Sequence, residues 1–156
     1  MTTIIDIPKN ISKDLLPKLL DLIETGSQVD PEGLEERIMN ADLIAILVDN
    51  DKIVTTATLK NPLTSYRYKV FKSAGVDNEK ENYKKELGYI VTHPDYEGQK
   101  LCQKLLSELV NKIGTHNIFA TTRKQSMIHI LNKYGFNKTG TTYNKDLHLL
   151  IYNGKK

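Results

Sequence analysis

The chain has 156 residues, 39% of them apolar and 26% charged, with nine glycines, five prolines and no tryptophan. That composition excludes disorder and low complexity, and the length suits one buried core, so a single domain over residues 1–156 is expected. A net charge of +3 from scattered, nearly balanced charges gives no nucleic-acid signal, and the lone Cys102 excludes both an internal disulfide and a zinc site built on cysteine pairs.

The longest apolar run, Leu43 to Val48, is a strand length, so no membrane partner is expected. The N-terminal stretch Met1 to Asp6 lacks the basic and apolar regions of a secretory signal. A cytoplasmic location is therefore expected, in keeping with the single free thiol. No metal site is expected.

In chain order, Thr3 to Ile7 reads as a short strand. Asn10 or Ser12 would cap a helix to about Glu24, with Leu15, Leu16, Leu19, Leu20 and Ile23 on one face and Gly26 closing it. Asp30-Pro31 opens a second helix, with proline in the first turn and Glu32, Glu35 and Glu36 near its positive end. Asp42 to Val48 and Lys52 to Leu59 form a hairpin about the turn Asp49-Asn50-Asp51. Asn61 to Lys85 is a long polar connection, with helical character only around Tyr66 to Ser73. Glu86 to Thr92 is the next strand, stopped by His93-Pro94-Asp95. Gly98 to Ile113 is the clearest helix, with Leu101, Leu105, Leu106, Leu109, Val110 and Ile113 on its buried side. Asn117 to Thr122, Gln125 to Lys133, Phe136 to Tyr143 and Leu147 to Tyr152 then read as strand, helix, strand and strand. Strands alternating with helices around a central hairpin predict a mixed sheet with helices on both faces, an α/β (α+β) class.

The segment from Glu86 to Leu106 carries the chemistry. It is an apolar strand, a proline-marked turn, a short polar loop and an amphipathic helix. A loop feeding directly into a helix presents unpaired backbone N–H groups and the positive end of the helix dipole, which favour a phosphate or pyrophosphate.

This segment resembles motif A of the GCN5-related N-acetyltransferase (GNAT) superfamily. The turn Thr92-His93-Pro94-Asp95-Tyr96 and the loop Glu97-Gly98-Gln99-Lys100-Leu101-Cys102 match its pattern Gln/Arg-x-x-Gly-x-Gly/Ala, with departures at Glu97, Lys100 and Cys102. A second block matches as well: Ile118 to Thr121 is similar to the fifth family strand, and Met127 to Phe136 is similar to the helix ending in Gly-Phe, here Gly135-Phe136. The resemblance implies a mixed central sheet of about six or seven strands, the fourth and fifth splayed apart, flanked by about four helices. It also implies an acyltransferase using acetyl-CoA (coenzyme A) as cosubstrate and an amine-bearing small molecule or protein as acceptor. Dimerisation is common in the family.

Carried over residue by residue, the resemblance places backbone groups of Ile90, Val91 and Thr92 on the pantetheine arm and Glu97, Gly98, Gln99, Lys100, Leu101 and Cys102 around the pyrophosphate. Glu86 stands where histone-type members carry their general base. The general-acid tyrosine of the family is replaced by Leu131, and its helix asparagine by Lys124, two further positions beside the cofactor. Tyr89, Tyr134 and Tyr143 are the remaining hydroxyls within reach, and Tyr66, Arg67 and Tyr68 fall in the connection that sets acceptor specificity in the family. His93 reads as a solvated turn histidine and Cys102 as a small packed residue. The loop departures and the missing tyrosine sustain an alternative, a module of this fold that binds coenzyme A without catalysis or serves in interactions.

Overall fold

The computed structural model describes residues 1–27 and 29–154. Seven strands form one mixed sheet in the order β1-β2-β3-β4-β5-β7-β6. The chain divides into two compact units, Met1–Lys60 with Leu87–Leu109, and Asn61–Glu86 with Val110–Lys156.

The first unit contains β1 (Thr2–Asp6), α1 (Leu15–Gly26), α2 (Leu34–Met39), β2 (Leu43–Asp49) and β3 (Lys52–Lys60). It also holds most of β4 (Lys85–Thr92) and of α4 (Leu101–Ile113). β1 runs antiparallel to β2, and β2 to β3. The β2–β3 turn puts Asn50 and Asp51 at φ +50° and +65°, a conformation these short polar side chains tolerate better than most and one that matches strand twist. The Ser12 hydroxyl accepts a hydrogen bond from the Leu15 N–H at 3.2 Å, so the capping residue expected from the sequence serves α1. Leu19 and Ile23 of α1 pack with Leu34 and Ile38 of α2 onto Ile44, Ile46, Ile53 and Val91. Leu19 and Ile23 are fully buried, and truncating Leu19 to alanine would cost about 2–5 kcal/mol.

α2 begins at Leu34 rather than at Asp30-Pro31. The Asp30 carboxylate accepts from the Glu32 N–H, and the Leu34 N–H bonds to Pro31 O. The aspartate-proline pair therefore builds a turn ahead of the helix instead of its first turn.

The second unit contains α3 (Thr64–Ser73), the start of β4, the end of α4, β5 (Ile118–Thr122), α5 (Gln125–Lys133), β6 (Phe136–Tyr143) and β7 (Leu147–Tyr152). β7 pairs antiparallel with both β5 and β6. β4 pairs parallel with β5 through Lys85↔Ile118 and Glu86↔Phe119. Val70, Phe71 and Ala74 of α3 pack with Tyr83, Phe119 and Leu149, and the Phe71 ring meets Phe119 edge-on at 5.2 Å.

With α3 there are five α-helices among the described residues, in keeping with the expected flanking layer of about four. The apolar signal of α3 is thin. Only Val70 and Phe71 are buried hydrophobics within it, and the third buried position of that face is Arg67, so a polar ten-residue helix reads as a connection. α4 begins at Leu101, three residues after the expected Gly98, because His93 to Lys100 form a separate 3-10 turn and loop.

Candidate active site

Tyr66 projects from α3 towards the start of β4. Its hydroxyl donates to Glu86 Oε2 at 3.0 Å and is also hydrogen-bonded to the Thr121 side chain of β5. Tyr66 is 39% exposed while Glu86 is 3% exposed, so the tyrosine reaches inward and carries its hydroxyl to a buried carboxylate. Burial, reinforced by the Glu86 charge, pushes the Tyr66 hydroxyl well above the usual tyrosine range. The neighbouring basic residues do not draw Glu86 to the surface: the Lys85 ammonium donates to Asn61 Oδ1 at 2.9 Å, and Lys84 is exposed.

Tyr143 belongs to the same cluster. It packs against the group that includes Phe119, the register partner of Glu86. Burial first, and then the Glu86 carboxylate, push its hydroxyl up to about 12, with Arg123 opposing. The hydroxyl is buried and meets no hydrogen-bond partner among the described residues. Arg123 donates to Asn144 O at 2.8 Å and pairs with Asp146.

A kink in β6 sets the position of Tyr143. Gly140 has φ +68°, and a Cβ there would lie 2.1 Å from Ala74 O. The Thr141 N–H bonds the same carbonyl at 2.8 Å, and the β6–β7 register is interrupted between Thr139 and Tyr143. Only glycine allows β6 to approach the end of α3 this closely.

Arg67 and Tyr68 serve the helix rather than the site. Arg67 is buried, donates to Lys80 O and pairs with Glu81, which also accepts from the Tyr68 hydroxyl. Of the three residues in this connection, Tyr66 alone is bonded to Glu86 in these contacts.

In the first unit, β4 continues from Leu87, with Tyr89 at φ +50°. The Tyr89 hydroxyl accepts from Arg37 Nε at 3.0 Å, and the Lys60 ammonium lies 4.3 Å from its ring centroid. Val91 O accepts from the Thr55 hydroxyl at 3.0 Å, and the His93 N–H bonds Val54 O at 2.7 Å. Backbone groups alternate in direction along a strand. With Val91 and His93 turned to β3, Ile90 and Thr92 present theirs to the opposite edge.

Two of the expected cofactor positions carry little exposed surface. Val91 is 5% exposed and its carbonyl is bonded from β3, and Leu131 is 1% exposed within the core face of α5. Both side chains are covered by protein. Lys124 is the exposed residue just before α5, and Tyr134 is half-buried at its C-terminal end.

The loop Glu97 to Lys100 is exposed throughout. Gly98 has nothing within 4 Å of where a Cβ would sit, and Lys100 takes φ +59° at the position of the family's first loop glycine. The backbone thus keeps a left-handed turn there despite the side chain. The Lys104 N–H bonds Lys100 O at 3.1 Å, so the N–H groups of residues 101–103 precede the hydrogen-bonded ladder of α4. Cys102 is half-buried and burial pushes its thiol up to about 11, the opposite of an activated nucleophile. His93 Nδ1 accepts from the Asp95 N–H at 3.1 Å and caps the 3-10 turn.

Among the described residues no group of His, Cys, Asp and Glu could hold a metal ion, and no helix is long and apolar enough to cross a membrane. No protein-family model matches the sequence, and no curated protein matches it. Solved structures do match. An acyl-CoA N-acyltransferase from Pseudomonas aeruginosa superposes with a TM-score of 0.71 at 12% identity, over 97% of this chain and 98% of that one. The ribosomal-protein-S18-alanine N-acetyltransferase from Escherichia coli gives 0.68 at 15% identity, over 99% and 96%. A chain of the NatC complex bound to Gag peptide and CoA gives 0.64 at 12% identity, over 99% and 100%. The chain has the fold of the GCN5-related N-acetyltransferase (GNAT) superfamily.

Proposed function

We propose that the protein is an N-acyltransferase that moves the acetyl group of acetyl-CoA to a primary amine of a small-molecule or protein acceptor. The observation that carries this reading is the edge of β4 opposite β3, where Ile90 and Thr92 present backbone groups ahead of an open loop and a helix N-terminus. The donor set fits coenzyme A. An extended pantetheine arm adds to a strand edge as a peptide would, and a pyrophosphate suits the N–H groups of the exposed loop 97–100 and of the first turn of α4. The Lys100 ammonium adds charge there, with Glu97 partly opposing it.

Bound acetyl-CoA supplies the thioester whose carbonyl carbon the acceptor amine attacks. Glu86 accepts the proton that the acceptor ammonium must lose before its nitrogen can form the new C–N bond. A backbone N–H at Ile90 or Thr92 stabilises the developing oxyanion. The coenzyme A thiolate released as the C–S bond breaks would be stable enough to take its proton from solvent, so no side chain of this protein is assigned as the acid. Cys102 forms no covalent intermediate in this scheme.

The test is release of free coenzyme A from acetyl-CoA across polyamines, amino acids, aminoglycosides and lysine peptides. At least one amine should accelerate release well above the amine-free rate. Acceleration by none of them would reject acyl transfer to these acceptors.

A further inference from the structure

Two side-chain pairs join the β2–β3 hairpin to the 3-10 turn Pro94–Tyr96, which runs directly into the open loop at Glu97. The Tyr96 hydroxyl donates to Asp49 Oδ2 at 3.0 Å, and the Lys52 ammonium stands 3.6 Å from Asp95 Oδ2. Asp49 ends β2 and Lys52 begins β3, and the two are register partners across the mouth of the hairpin turn. The hairpin turn is held from its other side by α1, where the Lys18 ammonium donates to Asp51 O at 2.6 Å. The backbone bonds of the 3-10 turn close it on itself: the Tyr96 N–H bonds His93 O at 2.9 Å and the Glu97 N–H bonds Pro94 O at 3.4 Å. The side-chain pairs are what carry it across to the hairpin.

The two pairs differ in strength. Asp95 and Lys52 are 73% and 44% exposed in their side chains and lie beyond hydrogen-bond distance, so water and salt screen them. Tyr96 and Asp49 are half-buried, and a hydroxyl bonded to a carboxylate is a charge-assisted contact. The Tyr96 ring also meets the His93 ring edge-on at 5.9 Å. With only two side-chain torsions, a tyrosine makes a stiff arm.

We propose that Asp49 is a positioning residue for the cofactor loop. Through the Tyr96 hydroxyl it fixes the entry to Glu97–Lys100, while the Lys104 N–H to Lys100 O bond fixes the exit into α4. A loop held at both ends loses less freedom when its N–H groups close on a pyrophosphate. This rests on the acyl-transfer reading and names a residue outside the loop that sets affinity for the phosphate end of coenzyme A.

The experiment measures coenzyme A binding by calorimetry, and backbone amide order parameters of residues 97–100 in the cofactor-free protein. Both are read on wild type, Tyr96→Phe, Asp49→Ala, the double variant and Asp49→Asn. Each of Tyr96→Phe and Asp49→Ala should bind coenzyme A about three- to tenfold more weakly and lower the order of the free loop. The double variant should bind no more weakly than either single, because the two side chains act through one bond. Asp49→Asn keeps an oxygen that accepts from Tyr96, so it should stay closer to wild type than Asp49→Ala in both measurements. Melting temperatures should fall by no more than about 4 °C, as for a surface contact. Affinity within twofold of wild type in the singles, losses that add in the double variant, or unchanged loop order overturns the proposal. A larger fall in melting temperature in either single makes the pair a general support of the fold and overturns it too. No binding of coenzyme A by wild type counts against the acyltransferase reading, and the loop order of the free variants, which needs no cofactor, then decides separately whether the pair holds the loop.

Discussion

Arg37 Nε donates to the Tyr89 hydroxyl at 3.0 Å, tying the segment at α2 to the one residue of β4 that has a left-handed backbone. A non-glycine residue at φ +50° is strained, and it persists only where its surroundings hold it. Here the Lys60 ammonium over the ring and the Arg37 guanidinium at the hydroxyl do so. Arg37 also donates to the Glu32 and Asp30 carbonyls, so it fixes the turn ahead of α2 at the same time. Tyr89→Phe should therefore cost about 1 kcal/mol of stability for the lost hydrogen bond and leave turnover within a few-fold. A drop of about a hundredfold, with coenzyme A binding intact, would instead make Tyr89 a proton donor in the reaction.

The order of the elements was legible in the sequence, and so were the limits of α5, β6 and β7, which match the expected residues. The Gly-Phe step marks the end of α5, and alternation marks the two strands. The helix of the β3–β4 connection was only partly legible, because its inward face is Arg67, Val70 and Phe71, with the arginine paying its way through backbone and carboxylate contacts. The resemblance singles out Glu86 as a candidate base. Its contact with Tyr66 was not legible, since the two are 20 residues apart and α3 alone brings them together.

The Gly140 bulge places Tyr143, so Gly140→Ala should damage both fold and site. The added methyl would have to displace the Ala74 carbonyl that it would meet at 2.1 Å, from a backbone at φ +68°. A loss of about 2–4 kcal/mol is expected, lowering the melting temperature by roughly 5–15 °C. A melting temperature within 2 °C of wild type, about the effect of 1 kcal/mol or less, would show that β6 and α3 separate easily.

Tyr143 and Tyr66 also predict how the protein responds to alkali. A tyrosine whose folded-state value is raised, to about 12 for Tyr143, stays protonated in the native state while the unfolded chain ionises near the ordinary tyrosine value of about 10. The stability that each contributes is complete below the unfolded value and is lost as pH climbs towards the folded one. Chemical denaturation should show falling stability above pH 10, and Tyr143→Phe should flatten part of the fall between about pH 10 and 12. An identical slope in the variant would contradict the burial argument for this hydroxyl.

Cys102 should behave as a masked thiol. With its value pushed up to about 11, only about 0.1% is thiolate at pH 8, so iodoacetamide should react slowly, and about tenfold faster for each added pH unit until the value is reached. Cys102→Ala should keep acetyl-CoA turnover. Rapid alkylation at pH 7 together with an inactive Cys102→Ala would restore a nucleophilic role.

The most direct test of the account is the binding of acetyl-CoA to the wild-type protein, read as a thermal shift and confirmed by calorimetry. A ligand at about a hundred times its dissociation constant stabilises a fold by about 2.7 kcal/mol, which for a chain of this length is a rise of roughly 5–10 °C. The account predicts such a rise with acetyl-CoA, reduced in Lys100→Glu at low salt and less so at high salt, because that charge is exposed. A melting temperature unmoved by millimolar acetyl-CoA would contradict the assignment of the β4 edge and its following loop to the cofactor, and with it the proposed acyl transfer.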